Sequence, residues 1–462
     1  MKTYIYTDET GDQAINFQTS QHGHISSQDY SLLETLYDQH LHHLSFEQRI
    51  EILYSYITDT KTTNHYSFRR QIQSGCKVTT KITEPDTLTE KVMINLSSND
   101  YLNLSQHQQV KDAVTIAVQK HGLGAGSSPM FTGTTNLHRQ LEQKIAQFKG
   151  TEDAMLFSSG YGANFGTIRA LLTNNDAAIC DMYAHASLMD GCTNTNRYYF
   201  RHNDIDSLSL ALQKASKHQN KLVIIDGVYS MDGDIAPLDQ IIETAHNYGA
   251  WVMVDDAHAT GVIGHNGRGT ASHFGLTGKV DLISGTFSKA LGAVGGFIAG
   301  SKELIAYLRI ACRAYMFSTA PAVPVMAGVL EALNILDQEP HRIKQLHQNI
   351  NYCRTQLLCM GFNIGNSRTA IIPLIVGNDY KVKEMTHRLE QAGVLVNAVP
   401  YPAVPKKLTR VRLSLTAGLA KYQLDYALQE IERIAADLKI INIAHHLSNP
   451  KVKIEQHQAA FI

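Results

Sequence analysis

Short apolar runs alternate with amphipathic segments through the middle of this chain, and that alternation limits the possible folds more than any other feature. Between the runs, helical periodicity is visible at 163–172, 238–247 and 303–312. Nearly continuous apolar strands are typical of parallel sheets covered on both faces. We therefore predict an α/β fold with a mainly parallel wound sheet, whose ligands lie at the carboxyl ends of the strands. The apolar runs are 154–157, 177–181, 198–200, 222–226, 251–255, 280–284 and 294–299.

A smaller α+β unit follows this sheet. After Pro324 a long helical stretch includes 327–336 and 343–358. It leads to strand patterns at 371–376 and 410–415 and to a last helix at 422–438. The predicted organisation is an N-terminal extension (1–65), an N-terminal segment of the main unit (66–120), a large domain (121–335), a small C-terminal domain (336–442) and a tail (443–462).

The extension before residue 66 divides into two parts. Residues 1–27 are polar and lack periodicity, which predicts a mobile arm. Apolar residues recur at helical spacing from Tyr30 to Ile57, and Ser45 followed by Gln48 predicts a capping box. We therefore predict two short helices that are joined near Ser45.

Composition excludes several classes of function. A formal charge of −1 over 462 residues argues against nucleic acid as a partner. The six cysteines have no metal-ligand spacing, and the irregular histidines at 22, 24, 40, 42 and 43 are more simply solvated or packed, so no metal is expected. No secretory signal or apolar run of membrane-spanning length is present, which predicts a cytoplasmic protein without an integral membrane segment.

One lysine stands apart from the other lysines. The segment 284–297 predicts a strand, a tight turn and a second strand, with Lys289 at the turn. Its neighbours are Ser, Thr, Ala and Gly, which leave room for a bulky group to approach. An amine in such a pocket loses hydration, its pKa falls, and it becomes able to form a Schiff base.

Three other segments stand upstream of Lys289 in the order 158–164, 181–187 and 254–261. The first, Ser-Ser-Gly-Tyr-Gly-Ala-Asn, lies between a strand and a helix, where backbone N–H groups can bind an anion. In the third, Asp255 ends an apolar strand and needs a cationic partner. Asp256 points the other way along the strand and is the weaker candidate.

Together these segments resemble the fold-type I enzymes that use pyridoxal 5′-phosphate (PLP), and more narrowly the α-oxoamine synthases. The resemblance covers about 66–438. It implies a PLP-dependent transferase fold of type I, with a large domain and a smaller C-terminal α+β domain. It also implies a C-acyltransferase that joins an amino acid to an acyl-CoA or acyl carrier protein thioester with loss of carbon dioxide. A homodimer with a shared active site is expected.

The resemblance also assigns roles to residues. Lys289 would hold PLP and then remove the substrate's α-proton, while Asp255 pairs with the ring nitrogen. His185 would stack on the ring, and His258 would contact its phenolic oxygen; either histidine would assist the acyl carbonyl. Phosphate and ring contacts are expected from Ser159, Gly160, Tyr161, Ser230 and Thr286, and across the dimer interface from Ser318 and Thr319.

The substrate carboxylate is expected to bind Asn99, in the Asn-Asp-Tyr-Leu motif, and Arg412. A guanidinium fork suits a bidentate grip on a carboxylate. Arg410 lies on the same face of the same strand, so strand alternation does not choose between the two arginines. The family register favours Arg412.

Several functions stay open within this resemblance. The segment around Lys289 slightly favours members like serine palmitoyltransferase, whereas 254–261 is equally like 8-amino-7-oxononanoate synthases. Glycine-using members also remain, and Pro129 replaces the arginine usual in the family, which leaves substrate selectivity undecided. An aminotransferase or lyase sharing the fold would need no thioester. A non-catalytic partner subunit is disfavoured because Lys289 is present.

Overall fold

The computed structural model describes residues 3–6, 15–18, 44–63, 65, 66, 68–83 and 90–441. At the N-terminus, β1 (Thr3–Tyr6) pairs antiparallel with β2 (Ile15–Gln18), within the segment 1–27 for which the sequence predicts a mobile arm. That arm stays a prediction. Helix α1 (Phe46–Thr62) begins after Ser45, and its capping box with Gln48 is confirmed. The first of the two helices predicted near Ser45, and the tail 443–462, lie outside the described residues.

Two strands and two helices lead from this extension into the main body. Strands β3 (Thr79–Thr83) and β4 (Glu90–Asn95) pair antiparallel. Helix α2 (Gln108–His121) follows, and helix α3 (Asn136–Lys149) is capped by Thr135. The loop between the two helices carries Pro129.

A seven-stranded sheet forms the centre of the molecule, in the order β5-β11-β10-β9-β8-β6-β7. Every neighbouring pair is parallel except those made by β11, which runs antiparallel to β10 and β5. All seven predicted apolar runs are therefore confirmed as strands of one mainly parallel sheet. The strands are β5 (Asp153–Phe157), β6 (Ala177–Asp181), β7 (Asn196–Phe200), β8 (Lys221–Asp226), β9 (Trp251–Asp255), β10 (Leu282–Thr286) and β11 (Gly296–Gly300).

Helices cover both faces of this sheet and bury their apolar stripes against it. In the helix Leu238–Asn247, for example, four apolar residues are buried at helical spacing, namely Leu238, Ile241, Ile242 and Ala245. The helices are α4 (Gly160–Leu171), α5 (Ala186–Gly191), α6 (Ile205–Lys214), α7 (Leu238–Asn247), α8 (Thr270–His273), α9 (Lys302–Ala311) and α10 (Arg313–Met316).

The C-terminal part is the predicted smaller α+β unit. Strands β12, β15 and β14 form an antiparallel sheet, while β13 adds to β4 in parallel and so joins the N-terminal segment to this unit. The predicted domain boundaries stay a prediction. No helix in the described part of the chain is long and apolar enough to cross a membrane. The elements are α11 (Val323–Gln338), α12 (His341–Cys359), β12 (Ile371–Ile375), α13 (Asp379–Gln391), β13 (Val394–Leu395), β14 (Asn397–Val399), β15 (Arg410–Ser414) and α14 (Lys421–Asp437).

Candidate active site

Lys289 lies in the turn between β10 and β11, as the sequence predicted. The pKa of its amine is lowered to about 8, first because the cleft removes hydration; Asp255 and Asp226 oppose this effect, and Arg412 adds to it. Asp255, Asp226 and Arg412 are thus all close enough to Lys289 to act on its charge. A lysine whose pKa is this low is partly unprotonated near neutral pH, so it can act as a nucleophile or a base.

Asp255 ends β9 and is 5% exposed. Its carboxylate accepts hydrogen bonds from the Asn164 amide at 2.6 Å and from the backbone N–H of Ala257 at 2.9 Å. Both donors are neutral, and no ion pair within the described residues neutralises this carboxylate. A buried carboxylate without a counter-ion is costly, so this site favours a cationic ligand atom.

His185 is linked to Asp255 by a short chain of hydrogen bonds. The Asn164 amide also donates to the Ser187 hydroxyl at 2.9 Å, and that hydroxyl lies 2.8 Å from Nδ1 of His185. The pKa of His185 is lowered, chiefly by lost hydration and secondarily by Lys289, while Asp255 opposes this. The ring is therefore neutral, and its Nδ1 accepts from the Ser187 N–H at 3.3 Å. These hydrogen bonds link the orientation of the His185 imidazole to the Asp255 carboxylate.

A second carboxylate, Asp226, ends the neighbouring strand β8 directly opposite Asp255. Its Oδ1 accepts from the backbone N–H of His185 at 3.1 Å. The pKa of Asp226 is raised well above its usual value, because the side chain is buried and Asp255 carries a like charge. Asp226 was not among the predicted site residues, although it ends an apolar strand as Asp255 does.

His258 is also buried, and Nδ1 lies 2.7 Å from the Tyr101 hydroxyl. Burial raises the pKa of Tyr101 to about 12, so the phenol keeps its proton. That hydroxyl donates to the Asn99 amide oxygen at 3.3 Å. The pKa of His258 is well below its usual value, chiefly because of burial and also because of the nearby cations, so the ring is neutral.

The loop after β5 presents a helix N-terminus. Ser159 is the N-cap of α4, and its hydroxyl accepts from the Gly162 N–H at 3.0 Å. A side chain at Gly160 would bring its Cβ to 3.0 Å from Cβ of Thr286, so glycine is needed for the close approach of these two loops. The free N–H groups here suit an anion such as a phosphate. Thr286 donates to the Gly295 carbonyl at 2.9 Å.

Three of the other predicted phosphate and ring contacts are exposed. Tyr161 is exposed, and its hydroxyl bonds Asp190. Ser318 and Thr319 are exposed, and the Thr319 carbonyl accepts from the Ser158 hydroxyl at 3.2 Å. Ser230 contributes its backbone, as described next.

Strand β15 supplies two buried arginines that have different environments. Arg410 pairs with Asp232 at 2.7 Å and also donates to the Met231 carbonyl. Arg412 donates to the Ser230 carbonyl at 2.7 Å and to the Asn99 amide oxygen at 3.2 Å. Within the described residues no carboxylate pairs with Arg412. Of these two arginines, Arg412 is therefore the one whose positive charge is available for an anionic ligand.

Asp256, adjacent to Asp255, belongs to the core. It forms an ion pair with Lys149 at 2.8 Å, and both side chains are 1% exposed. The Thr270 hydroxyl donates to it at 2.7 Å. The expectation that Asp256 faces away from the site agrees with this geometry.

These residues fit PLP as a bound group. The site combines an amine of low pKa, a buried carboxylate without a counter-ion, a neutral imidazole and a helix N-terminus. Asn164 and Tyr101 are further contributors that the sequence analysis missed. Both stand inside motifs that it quoted, but their partners lie 91 and 157 residues away in sequence.

Comparison with known proteins gives consistent results. The model of the family "Aminotransferase class I and II" matches residues 91–431. The chain is 41% identical over 357 residues to 8-amino-7-oxononanoate synthase 1 of Bacillus subtilis (strain 168), covering 77% of this chain and 91% of the relative. It is 42% identical over 354 residues to 8-amino-7-oxononanoate synthase of Thermoanaerobacter pseudethanolicus, covering 76% of this chain and 90% of the relative.

A solved structure of serine palmitoyltransferase from S. paucimobilis, with a bound PLP-myriocin aldimine, is similar in fold. The TM-score is 0.82 at 30% identity, with 86% of this chain and all of that chain covered. The relatives by sequence and the neighbour by structure are thus different members of one group of enzymes.

Proposed function

We propose, on the premise that this chain belongs to the class I and II aminotransferases and within them to the α-oxoamine synthases, that it condenses a small L-amino acid with an acyl thioester. Carbon dioxide is lost, and the product is an α-amino ketone. The enzyme is PLP-dependent, and PLP supplies a ring that withdraws electrons from the carbon next to the substrate's nitrogen. The 8-amino-7-oxononanoate synthases and serine palmitoyltransferases supply the two models for its substrates.

The residues that would hold the cofactor follow from the site. Lys289 is the amine for the covalent link, and Asp255 is the partner for the ring nitrogen. His185 would cover the ring, and His258 and Ser230 would contact its oxygen. The N-terminus of α4 would bind the phosphate through Ser159, Gly160 and Tyr161, with Thr286 beside them.

The amino-acid carboxylate would bind Arg412 and Asn99. The single observation that carries this proposal is that Arg412 is buried, close enough to lower the pKa of Lys289, and lacks a carboxylate partner within the described residues. A carboxylate bound there neutralises the arginine and brings the α-carbon towards the lysine.

Proton transfer would fall to Lys289. With a pKa of about 8, the amine accepts the α-proton near neutral pH without a large energetic penalty. His258 is neutral because burial lowers its pKa, and a ring N–H at Nε2 would donate a hydrogen bond to an oxygen on which negative charge develops. His185 is likewise neutral, and its Nε2 is the nitrogen left for such contacts.

The proposal is tested by supplying glycine, alanine or serine together with acyl-CoA thioesters of increasing length. The product is identified by mass, and carbon dioxide is measured. We expect an amino ketone only when both substrates are present. Formation of a keto acid without any thioester would instead indicate an aminotransferase.

We also propose a homodimer in which Ser318 and Thr319 serve the phosphate site of a second copy. Both side chains are exposed, and the adjacent Phe317 is 70% exposed although it is large and apolar. The test mixes a Lys289→Ala variant with a Thr319→Arg variant. If the site is shared, one of the two sites in the mixed dimer retains both native residues, and activity reappears. No recovery in proven mixed dimers would contradict sharing.

A further inference from the structure

His202 occupies a position that the proposed mechanism does not use. It lies in the turn after β7, just before Asp204, the N-cap of α6. Its Nδ1 is 3.1 Å from Oδ1 of Asp181, and its Nε2 is 2.8 Å from Oδ2 of Asp234. The side chain is 19% exposed, and the two carboxylates are 0% and 9% exposed. A largely buried imidazole therefore bridges two acids.

Only an imidazolium satisfies both contacts, because a neutral ring has a single N–H donor. Burial works against the charge, but the two acids dominate and raise the pKa of His202 to about 10. Two tyrosine rings also contact the imidazole and fix the orientation of its plane. Tyr183 stacks on it at 4.5 Å between centroids, and Tyr229 meets it edge-on at 4.3 Å.

Other charged groups close to this cluster are few. Around the two tyrosines the charges come from Asp226 and from the paired Asp232 and Arg410. Arg201 pairs instead with Asp204 at 2.7 Å at the surface. The bridge of His202 to its two acids is thus the dominant ionic contact here.

One acid of the bridge belongs to the segment that carries His185. Asp181 ends β6, and its Oδ1 accepts from the Tyr183 N–H at 2.8 Å. Its carbonyl accepts from the Ala184 N–H at 3.1 Å. The path of the chain from the end of β6 to His185 is therefore set at Asp181.

The other acid belongs to the loop 228–235, which contacts both arginines. The Asp234 carbonyl accepts from the Tyr229 N–H at 3.1 Å and so closes the loop. The Ser230 carbonyl at the tip of that loop accepts from Nε of Arg412 at 2.7 Å. A shift of the loop would therefore move the guanidinium.

We propose that His202 is a positioning residue, an imidazolium that ties the His185 segment to the 228–235 loop and so fixes Arg412 for the amino-acid carboxylate. This inference rests on the proposed function, in which Arg412 binds that carboxylate. It predicts that losing the bridge weakens amino-acid binding and leaves the covalent cofactor link intact.

The test compares His202→Gln and Asp234→Asn with His218→Gln. His218 is a matched control, because its ring also has partners at both nitrogens, the Tyr198 hydroxyl and the Asn175 carbonyl, neither of them a carboxylate. Amino-acid affinity is measured from the change in the visible spectrum of the holoenzyme. For the two bridge variants we expect it to fall by about tenfold to a hundredfold, as for loss of a charge-assisted hydrogen bond. His218→Gln should equal the wild type.

A second readout measures the protonation of His202 in the wild-type protein without cofactor, and the variants serve only to assign its signals. Nitrogen-15 NMR of the histidine-labelled wild-type apoenzyme should show the His202 ring still doubly protonated about two pH units above the ordinary histidine pKa of about 6.5. Its signals are those lost in His202→Gln, or shifted in Asp234→Asn if the first variant does not fold.

Three results would overturn the inference: ordinary titration of His202, bridge variants that bind the amino acid like His218→Gln, or loss of the cofactor link together with binding. Failure of the proposed function is a separate result. It would appear as absence of amino ketone in the wild type, whatever the amino-acid affinities are.

Discussion

Replacing Asp256 by asparagine should damage the fold and leave the chemistry largely intact. Lys149 and Asp256 are both 1% exposed and 2.8 Å apart. The other partners of Lys149 are neutral, the Thr260 hydroxyl and the Arg268 carbonyl. Removing one member of a buried ion pair costs about 3–5 kcal/mol. An amide keeps one acceptor for the ammonium, so we expect the free energy of unfolding to fall by about 3 kcal/mol.

Replacing Asp255 by asparagine should have the opposite effect, with a small change in stability and a large loss of activity. The Asp255 carboxylate accepts hydrogen bonds from Asn164 and from the backbone N–H of Ala257. Asparagine has one acceptor oxygen, so one of these two bonds is lost, at a cost of about 1 kcal/mol in the apoenzyme. In the proposed function, however, the ring nitrogen of PLP would lose its anionic partner. A loss of about 3 kcal/mol in the transition state slows turnover by about a hundredfold.

The assay has two arms, urea unfolding of the apoenzymes and initial rates of amino ketone formation by the holoenzymes. Asp256→Asn should be the less stable variant and the more active one. A double variant, Lys149→Met with Asp256→Leu, removes both charges and should regain most of the stability. A stable Asp256→Asn enzyme without activity, or an active Asp255→Asn enzyme, would refute the assignment of the two carboxylates.

Three further predictions follow from the site. Arg412→Lys should raise the KM for the amino acid by about tenfold or more, because a point charge cannot replace the guanidinium fork. Arg410→Lys keeps a charge for Asp232 and should change this KM much less. Equal effects of the two variants would contradict the choice of Arg412. Tyr101→Phe removes the partner of Nδ1 of His258 and should lower kcat by about tenfold without abolishing PLP binding, and an unchanged kcat would show that Tyr101 does not orient this ring. Lys289 has a folded pKa of about 8, below its unfolded value, so the protonated amine destabilises the folded apoenzyme below about pH 8 and this penalty disappears as the pH rises towards 10.5. Lys289→Met should therefore stabilise the apoenzyme by about 3 kcal/mol at pH 7, with the advantage shrinking above pH 8, and an advantage independent of pH would contradict the lowered pKa.

The fold was predictable because the strands of the central sheet are buried on both faces. Their apolar runs identify them without knowledge of their neighbours. The boundaries depend on partners. Strand β10 begins at Leu282, two residues later than the apolar run suggested, because the Asp281 carboxylate accepts from the Val252 N–H at 2.8 Å at that point. It extends to Thr286 because that residue pairs with Gly296.

The site was predictable where one residue carries its own signal. Lys289 among small neighbours and Asp255 at the end of an apolar strand are of this kind. Asp226 carries the same signal as Asp255 and was accessible by the same argument. Asn164 and Tyr101 were not, since an amide and a phenol acquire a role only from the distant residue that the fold brings to them.

The buried charged residues of this region fall into two groups, those with an ion pair inside the chain and those without one among the described residues. Arg410, Asp256 and His202 each have an opposite charge within the chain, so they hold the structure together. Asp255 and Arg412 are equally buried, at 5% and 6% exposure, but have no ion pair within the described residues. Burying a charge without a partner is costly, and a fold keeps such charges where a ligand supplies the partner. These two charges, a carboxylate and a guanidinium, both act on the pKa of Lys289, which Asp255 raises and Arg412 lowers. In the function proposed above, the ring nitrogen of PLP would neutralise the carboxylate, and the carboxylate of the amino acid would neutralise the guanidinium.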